Sequence, residues 1–135
     1  MKLPTATPAD LRRALLLREE IALLDLRYEA AFATGHPLFA ANMALDRIEI
    51  EAEVRLPRKD VAIVLYDGGD GLVAPGAERL AALGYTNITA LDGGLTAWRA
   101  AGFEVLGTFG GFTREPTRER RRSPAARRSG FPSRT

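Results

Sequence analysis

The residues with most capacity for chemistry lie between Asp60 and Ala74, a stretch that reads D-V-A-I-V-L-Y-D-G-G-D-G-L-V-A. An apolar run from Val61 to Tyr66 stops at Asp67, and Gly68, Gly69, Asp70, Gly71 and Leu72 follow before a helical pattern begins. A buried strand that feeds a glycine-rich turn onto a helix brings main-chain amides and the positive helix end to one place. Such a place favours an anion. Asp67 can supply that anion from within the chain, by capping the helix or filling the amide nest. Two other chemistries use the same residues. Asp67 and Asp70 could hold a hard metal ion with Asp25 or Asp92, or Asp67 could be a nucleophile in phosphoryl transfer. Phosphoryl transfer also needs a metal and a cation near the phosphate, and no lysine follows in the chain. The capping role is favoured, and neither a metal nor a cofactor is expected.

Composition narrows the chemistry further. The chain has 135 residues and no cysteine. That excludes disulfides, thiolate metal sites and any mechanism that uses a thiol of this chain. No apolar run approaches the roughly 20 residues that cross a bilayer, and no signal-peptide pattern opens the chain. A cytoplasmic protein without membrane contact is expected.

The elements that must position the loop follow from periodicity. Thr7-Pro8-Ala9-Asp10 opens a helix with a capping hydroxyl, proline at the first turn and an acid at the positive end of the dipole. Leu11, Ala14, Leu15 and Leu17 form its apolar side, and it ends near Arg18. Ile21 to Leu26 is a short apolar run suited to a strand buried on both faces. Asp25 sits at its carboxyl end, with Arg27 beyond, where Asp25 can accept loop amides and Arg27 can pair with Glu29 or another carboxylate. Tyr28 to Ala33 reads as a short helix closed by Gly35. His36-Pro37 then forces an extended segment, and the lone His36 reads as a hydrogen-bonded structural residue. A strand near Ala40 to Met43 and a helix carrying Leu45, Ile48 and Ala52 precede the central strand. After the loop, a helix from Val73 to Leu83 closes at Gly84. A strand from Ile88 to Leu91, a second glycine turn at Asp92-Gly93-Gly94, and a helix with a buried Trp98 closed by Gly102 follow. Phe103 to Leu106 is a final strand. The order predicts an α/β fold with a small parallel sheet flanked by helices on both faces.

Charge divides the chain. The net charge of +2 conceals 11 basic and 15 acidic residues through residue 110, against 8 Arg and 2 Glu after it. Residues 1–106 form the patterned domain. Residues 107–135 are rich in Arg, Ser and Pro and too poor in apolar groups to offset the entropy of ordering, so they read as a disordered basic tail. A shifted reading frame in a GC-rich gene would give the same abrupt change. The tail reads as solvated, with no nucleic acid as its partner.

Three segments carry a family resemblance. L-L-D-L-R-Y-E-A-A-F-A-T-G-H, from Leu23 to His36, resembles the rhodanese opening, in which a strand ending in Asp-x-Arg leads through a short helix to Gly-His. Ile63 to Tyr66 resembles the strand that delivers the rhodanese active-site loop. Arg79 to Gly102 is similar to the closing helix, strand, Gly-Gly turn and Trp-bearing helix of that family. The resemblance spans about Asp10 to Phe103 and implies the rhodanese-like fold. In active rhodaneses a cysteine follows the central strand and carries a persulfide cradled by loop amides, usually with loop arginines. Here Asp67 stands at the cysteine position, and the loop from Gly68 to Leu72 carries no base. The resemblance therefore implies a degenerate loop without a catalytic residue, in which Asp25, Arg27, His36 and Asp67 are structural or fill the anion cradle. It implies an inactive domain acting as a structural, binding or regulatory module. Its partner would be another rhodanese domain or another protein. The competing reading is a divergent enzyme, either a sulfurtransferase that borrows a partner's thiol or a hydrolase that depends on Asp67.

Overall fold

The computed structural model describes residues 2–107, and the expected basic tail lies outside them from residue 108 onward. In chain order the elements are β1 (Thr5–Ala6), α1 (Pro8–Leu16), β2 (Ile21–Asp25), α2 (Glu29–Thr34), β3 (His36–Pro37) and β4 (Ala41–Asn42). A 3-10 turn (Leu45–Arg47) then leads into α3 (Ile48–Arg55), β5 (Ala62–Tyr66), α4 (Val73–Ala82), β6 (Ile88–Leu91), α5 (Gly94–Ala100) and β7 (Val105–Leu106). Five strands form one parallel sheet in the order β1-β6-β5-β2-β4. β5, which delivers the glycine-rich loop, lies at its centre. This is the expected α/β architecture.

The alternation of side chains along β5 explains why helices cover both faces. Ile63 and Leu65 point to one side and pack with Leu24 and Leu26, Ile48 and Ala52 of α3, and Ala77 and Leu80 of α4. Val64 and Tyr66 point to the other and pack with Leu23, Leu11 and Leu15 of α1, and Leu95 and Trp98 of α5. Because both faces are apolar, the strands read as unbroken apolar runs. Gly76 permits the closest of these contacts. A Cβ there would sit 2.6 Å from Leu26 Cδ1, so a larger residue would require the Leu26 side chain or α4 to shift.

The strand β1, and the pairing of the extended His36-Pro37 segment as β3, lie outside the sequence reading. β1 is two residues long and exists through its parallel pairing with β6, Thr5 beside Ala90 and Ala6 beside Leu91. β3 pairs antiparallel with β7 in a separate ribbon, His36 opposite Leu106. Neither segment carries an apolar run of its own; their partners define them. Two further expectations need correction. Leu17 is 66% exposed, because it is the C-cap of α1 and has turned away from the apolar side. Gly35 does not close α2 in a left-handed conformation; its φ is 171°, ordinary extended backbone. Its smallness serves packing instead, since a Cβ there would collide with the Arg99 guanidinium.

The ends of α1, α4 and α5 share one geometry. After α4, the Gly84 amide donates to Ala81 O and the Tyr85 amide to Leu80 O, with Gly84 at φ 102°. After α5, Gly102 donates to Arg99 O and Phe103 to Trp98 O, with Gly102 at φ 81°. Both are Schellman closures on glycine. α1 closes the same way, Arg18 donating to Leu15 O and Glu19 to Ala14 O, but here Arg18 itself takes φ 63°. A side chain in that conformation costs roughly 1 kcal/mol. Arg18→Gly should therefore raise the unfolding free energy by up to about 1 kcal/mol in urea titration.

Candidate functional site

The site is built where β5 ends. Asp67 is the first residue beyond the strand and is 8% exposed. Its carboxylate turns back over the loop. Oδ1 accepts the Gly69 amide at 2.9 Å, and Oδ2 accepts the Leu72 amide at 2.7 Å and the Val73 amide at 3.3 Å. Leu72 is the N-cap of α4 and offers no capping side chain, and the first turn of α4 contains no acid. Asp67 performs both tasks from five residues upstream: it accepts otherwise orphaned amides and places negative charge at the positive end of the helix.

The glycines make that geometry possible. Gly69 and Gly71 have φ of 94° and 77°, which turn the intervening amides without steric cost. Asp70 closes the remaining short turn by accepting the Gly68 amide at 3.0 Å through Oδ1. Gly68 to Gly71 are exposed, whereas Asp67 beneath them is buried.

Support comes from two directions. The second glycine turn presses on the back of Asp67, where the Leu95 amide donates to Asp67 O at 3.3 Å. A Cβ on Gly94 would stand 3.0 Å from that same oxygen. The sequence reading of Gly93-Gly94, a positive-φ turn that also allows a close helix approach, is met here, while the particular contact with Asp67 lies beyond it. The signal was limited to the glycine pair itself.

On the other side stands a buried ion pair. Arg27 Nε lies 2.9 and 3.1 Å from the two Asp25 oxygens, and Nη2 donates to Asp25 Oδ2 at 2.5 Å and to Gly35 O at 2.7 Å. The Arg27 amide donates to Asp25 Oδ1 at 2.9 Å. Glu29 is thus not the partner of Arg27; the nearer Asp25 is, because the chain folds back directly after β2. Asn42 ties the same corner to β4 by donating to Asp25 O and Arg27 O. The hydrogen bonds to Asp25 push the Arg27 guanidinium further up, although burial opposes them. The aliphatic stem of Arg27 reaches the loop, since a Cβ on Gly68 would lie 3.4 Å from its Cδ. Tyr66 sits beside Asp25 in the strand register, and its enclosed hydroxyl has no hydrogen-bond partner among the described residues. Burial, then Asp25, holds that phenol well above its usual range.

Thus Asp67, Gly68, Gly69, Asp70, Gly71 and Leu72 form one loop, and Asp25 and Arg27 brace it. His36 belongs elsewhere. It lies in the β3–β7 ribbon, stacked on Phe32 with ring centroids 3.9 Å apart, and its Nδ1 is 2.9 Å from Pro37 O. Beside the loop, an open depression of about 490 Å³ runs toward the ends of β1 and β6. Asp67, Asp92, Thr5 and Val73 are among its walls, and no basic side chain lines it. Among the described residues no group of three or more carboxylates or imidazoles could share a metal ion. No described helix is long and apolar enough to cross a membrane.

A strand-end loop of amides closed over a helix N-terminus, within a β1-β6-β5-β2-β4 parallel sheet, defines the class. The family model for the rhodanese-like domain matches residues 7–101, and the chain belongs to that family. Solved structures agree. A thiosulfate sulfurtransferase from Pseudomonas aeruginosa is 50% identical with a TM-score of 0.75, over 78% of this chain and 20% of that one. The BH2092 protein from Bacillus halodurans is 27% identical with a TM-score of 0.70, over 78% and 77%. The Alr3790 protein from Anabaena sp. is 26% identical with a TM-score of 0.71, over 78% and 83%. The chain thus spans about a fifth of the length of the Pseudomonas protein. No curated protein matches it.

Two substitutions separate the roles of the acids. Asp25→Ala leaves the Arg27 guanidinium buried without its counter-charge and should cost about 3–5 kcal/mol of unfolding free energy. Asp67→Ala orphans amides that loop water can partly reach and should cost about 1–3 kcal/mol. Denaturant titration of the two variants checks the order.

Proposed function

We propose that this chain is a rhodanese-like domain that has given up sulfur transfer and serves as a structural, binding or regulatory module. The observation that carries this reading is the position of the Asp67 carboxylate, which accepts the amides of Gly69, Leu72 and Val73. Sulfur transfer through a persulfide requires a thiolate, and the sequence has no cysteine. A carboxylate forms no persulfide. It also places a fixed negative charge where an anionic sulfur donor would have to approach, with no loop cation to offset it. Four of the amides that would stabilise an incoming anion, those of Gly68, Gly69, Leu72 and Val73, already have a carboxylate as acceptor.

A module of this kind acts through a partner, and another rhodanese domain or another protein is the partner class proposed. The 50% identity to a protein about five times longer than the matched segment supports a setting beside further polypeptide.

An assay of sulfur transfer from thiosulfate to cyanide tests the reading. The purified chain should show no turnover above a protein-free control. Turnover that disappears in Asp67→Ala would instead establish a loop-dependent enzyme. Asp67→Cys should recover little activity, because Gly68 to Leu72 provide no positive side chain; robust turnover in that variant would show that the missing cations matter less than argued.

A further inference from the structure

Three aspartates of this chain precede glycine: Asp67-Gly68, Asp70-Gly71 and Asp92-Gly93. In such a pair the glycine nitrogen meets no side chain as it approaches the neighbouring carboxyl carbon. The three sites nonetheless differ sharply in how the fold holds the reacting groups. We propose that Asp70 is a site of spontaneous isomerisation to isoaspartate, and that the fold protects Asp67 and Asp92 from the same reaction.

The reaction is balanced without any co-reactant but water. The Gly71 nitrogen attacks Asp70 Cγ, forming an N–Cγ bond. The amide proton, one carboxyl oxygen and a solvent proton leave as water, giving a five-membered succinimide. Water then adds at the Asp70 main-chain carbonyl, and the original peptide C–N bond breaks. The chain now runs through Cγ, and a free α-carboxylate remains. Composition is unchanged and nothing is oxidised or reduced.

At Asp70 the requirements are met. Asp70 and Gly71 are exposed. A Cβ on Gly69 or Gly71 would meet nothing within 4 Å, so no other part of the fold crowds the loop on either side of Asp70. The Gly71 nitrogen donates no hydrogen bond to the described residues. One Asp70 oxygen accepts the Gly68 amide, which leaves the carboxyl carbon at the exposed rim of the loop.

Asp67 fails each requirement. Its carboxylate is buried and held by three amides, and its nucleophile, the Gly68 nitrogen, is engaged by Asp70 Oδ1. Asp92 is exposed, and the Gly93 nitrogen, like that of Gly71, donates no hydrogen bond to the described residues; what differs is that its peptide is crowded and pinned between elements, a Cβ on Gly93 standing 2.5 Å from Ala97 Cβ. The Asp92 amide donates to Ala6 O at 2.8 Å, and Gly93 O accepts the Ala97 amide at 3.1 Å as α5 begins.

Isomerisation at Asp70 would add one atom to the main chain inside the ring closed by Asp67 and the Leu72 amide. It would also remove the Gly68 acceptor. The modification therefore acts on the one segment whose shape defines the cradle.

The test is incubation of the full chain near neutral pH, folded and in denaturant. Cleavage after Lys59 and Arg79 places Asp67 and Asp70 in one peptide, and electron-transfer fragmentation assigns isoaspartate to each position. In the folded chain isoaspartate should accumulate at Asp70 several-fold faster than at Asp67 or Asp92. In denaturant the three positions should react at similar rates. Equal rates at Asp67 and Asp70 in the folded chain would overturn the proposal. So would a silent Asp70 in the folded chain when the unfolded chain reacts.

Discussion

The loop at the centre of this molecule depends on one carboxylate holding the amides at the start of α4. Residues 68–72 contain three glycines and an exposed acid, a composition with little conformational preference of its own. Asp67 removes that freedom by accepting Gly69, Leu72 and Val73 at once. The same bonds start the helix, because Leu72 cannot cap it. Loop shape and helix stability are therefore a single interaction. Its chemical consequence is that three amides which could stabilise a bound anion already have one.

Asp67 can act this way because its own position is braced. Leu95 holds its carbonyl from the side of α5, and Gly94 is small enough to let that helix approach. From the side of β2, the Asp25–Arg27 pair carries an aliphatic stem against Gly68. That pair is buried, yet nearly every donor and acceptor in it is used, including Gly35 O and the Arg27 amide. A polar corner bonded this densely is rigid and intolerant of losing one partner. The family fold is present here with this polar support beneath the loop, and the group at the head of the loop is a carboxylate.

Much of this was readable before any coordinates. The apolar runs at Ile21–Leu26 and Val61–Tyr66, the cap at Thr7 and the glycine stops at Gly84 and Gly102 are local signals, and each corresponds to an observed feature. Misreadings came where a residue's role depends on something distant in the chain. Gly35 does end α2, but in extended backbone, and the Arg99 guanidinium packs against it. Arg27 was left between carboxylates, and the backward turn after β2 selected Asp25. Leu17 fits the apolar spacing but falls after the helix has ended. β1 and β3 are created by their partners and have no pattern of their own.

The amino-acid sequence by itself determined which chemistries this protein can lack or possess, because composition and local order are sufficient for that. A chain with no cysteine has no thiol in any conformation, and an aspartate after a buried strand is acidic wherever it points. Only the tertiary structure decided where the Asp67 carboxylate goes, which acid meets Arg27, and which glycines are there for clearance. Those outcomes depend on distances between residues far apart in the chain, set by the packing of α4 and α5 against the sheet, and side-chain type and spacing do not encode such distances individually.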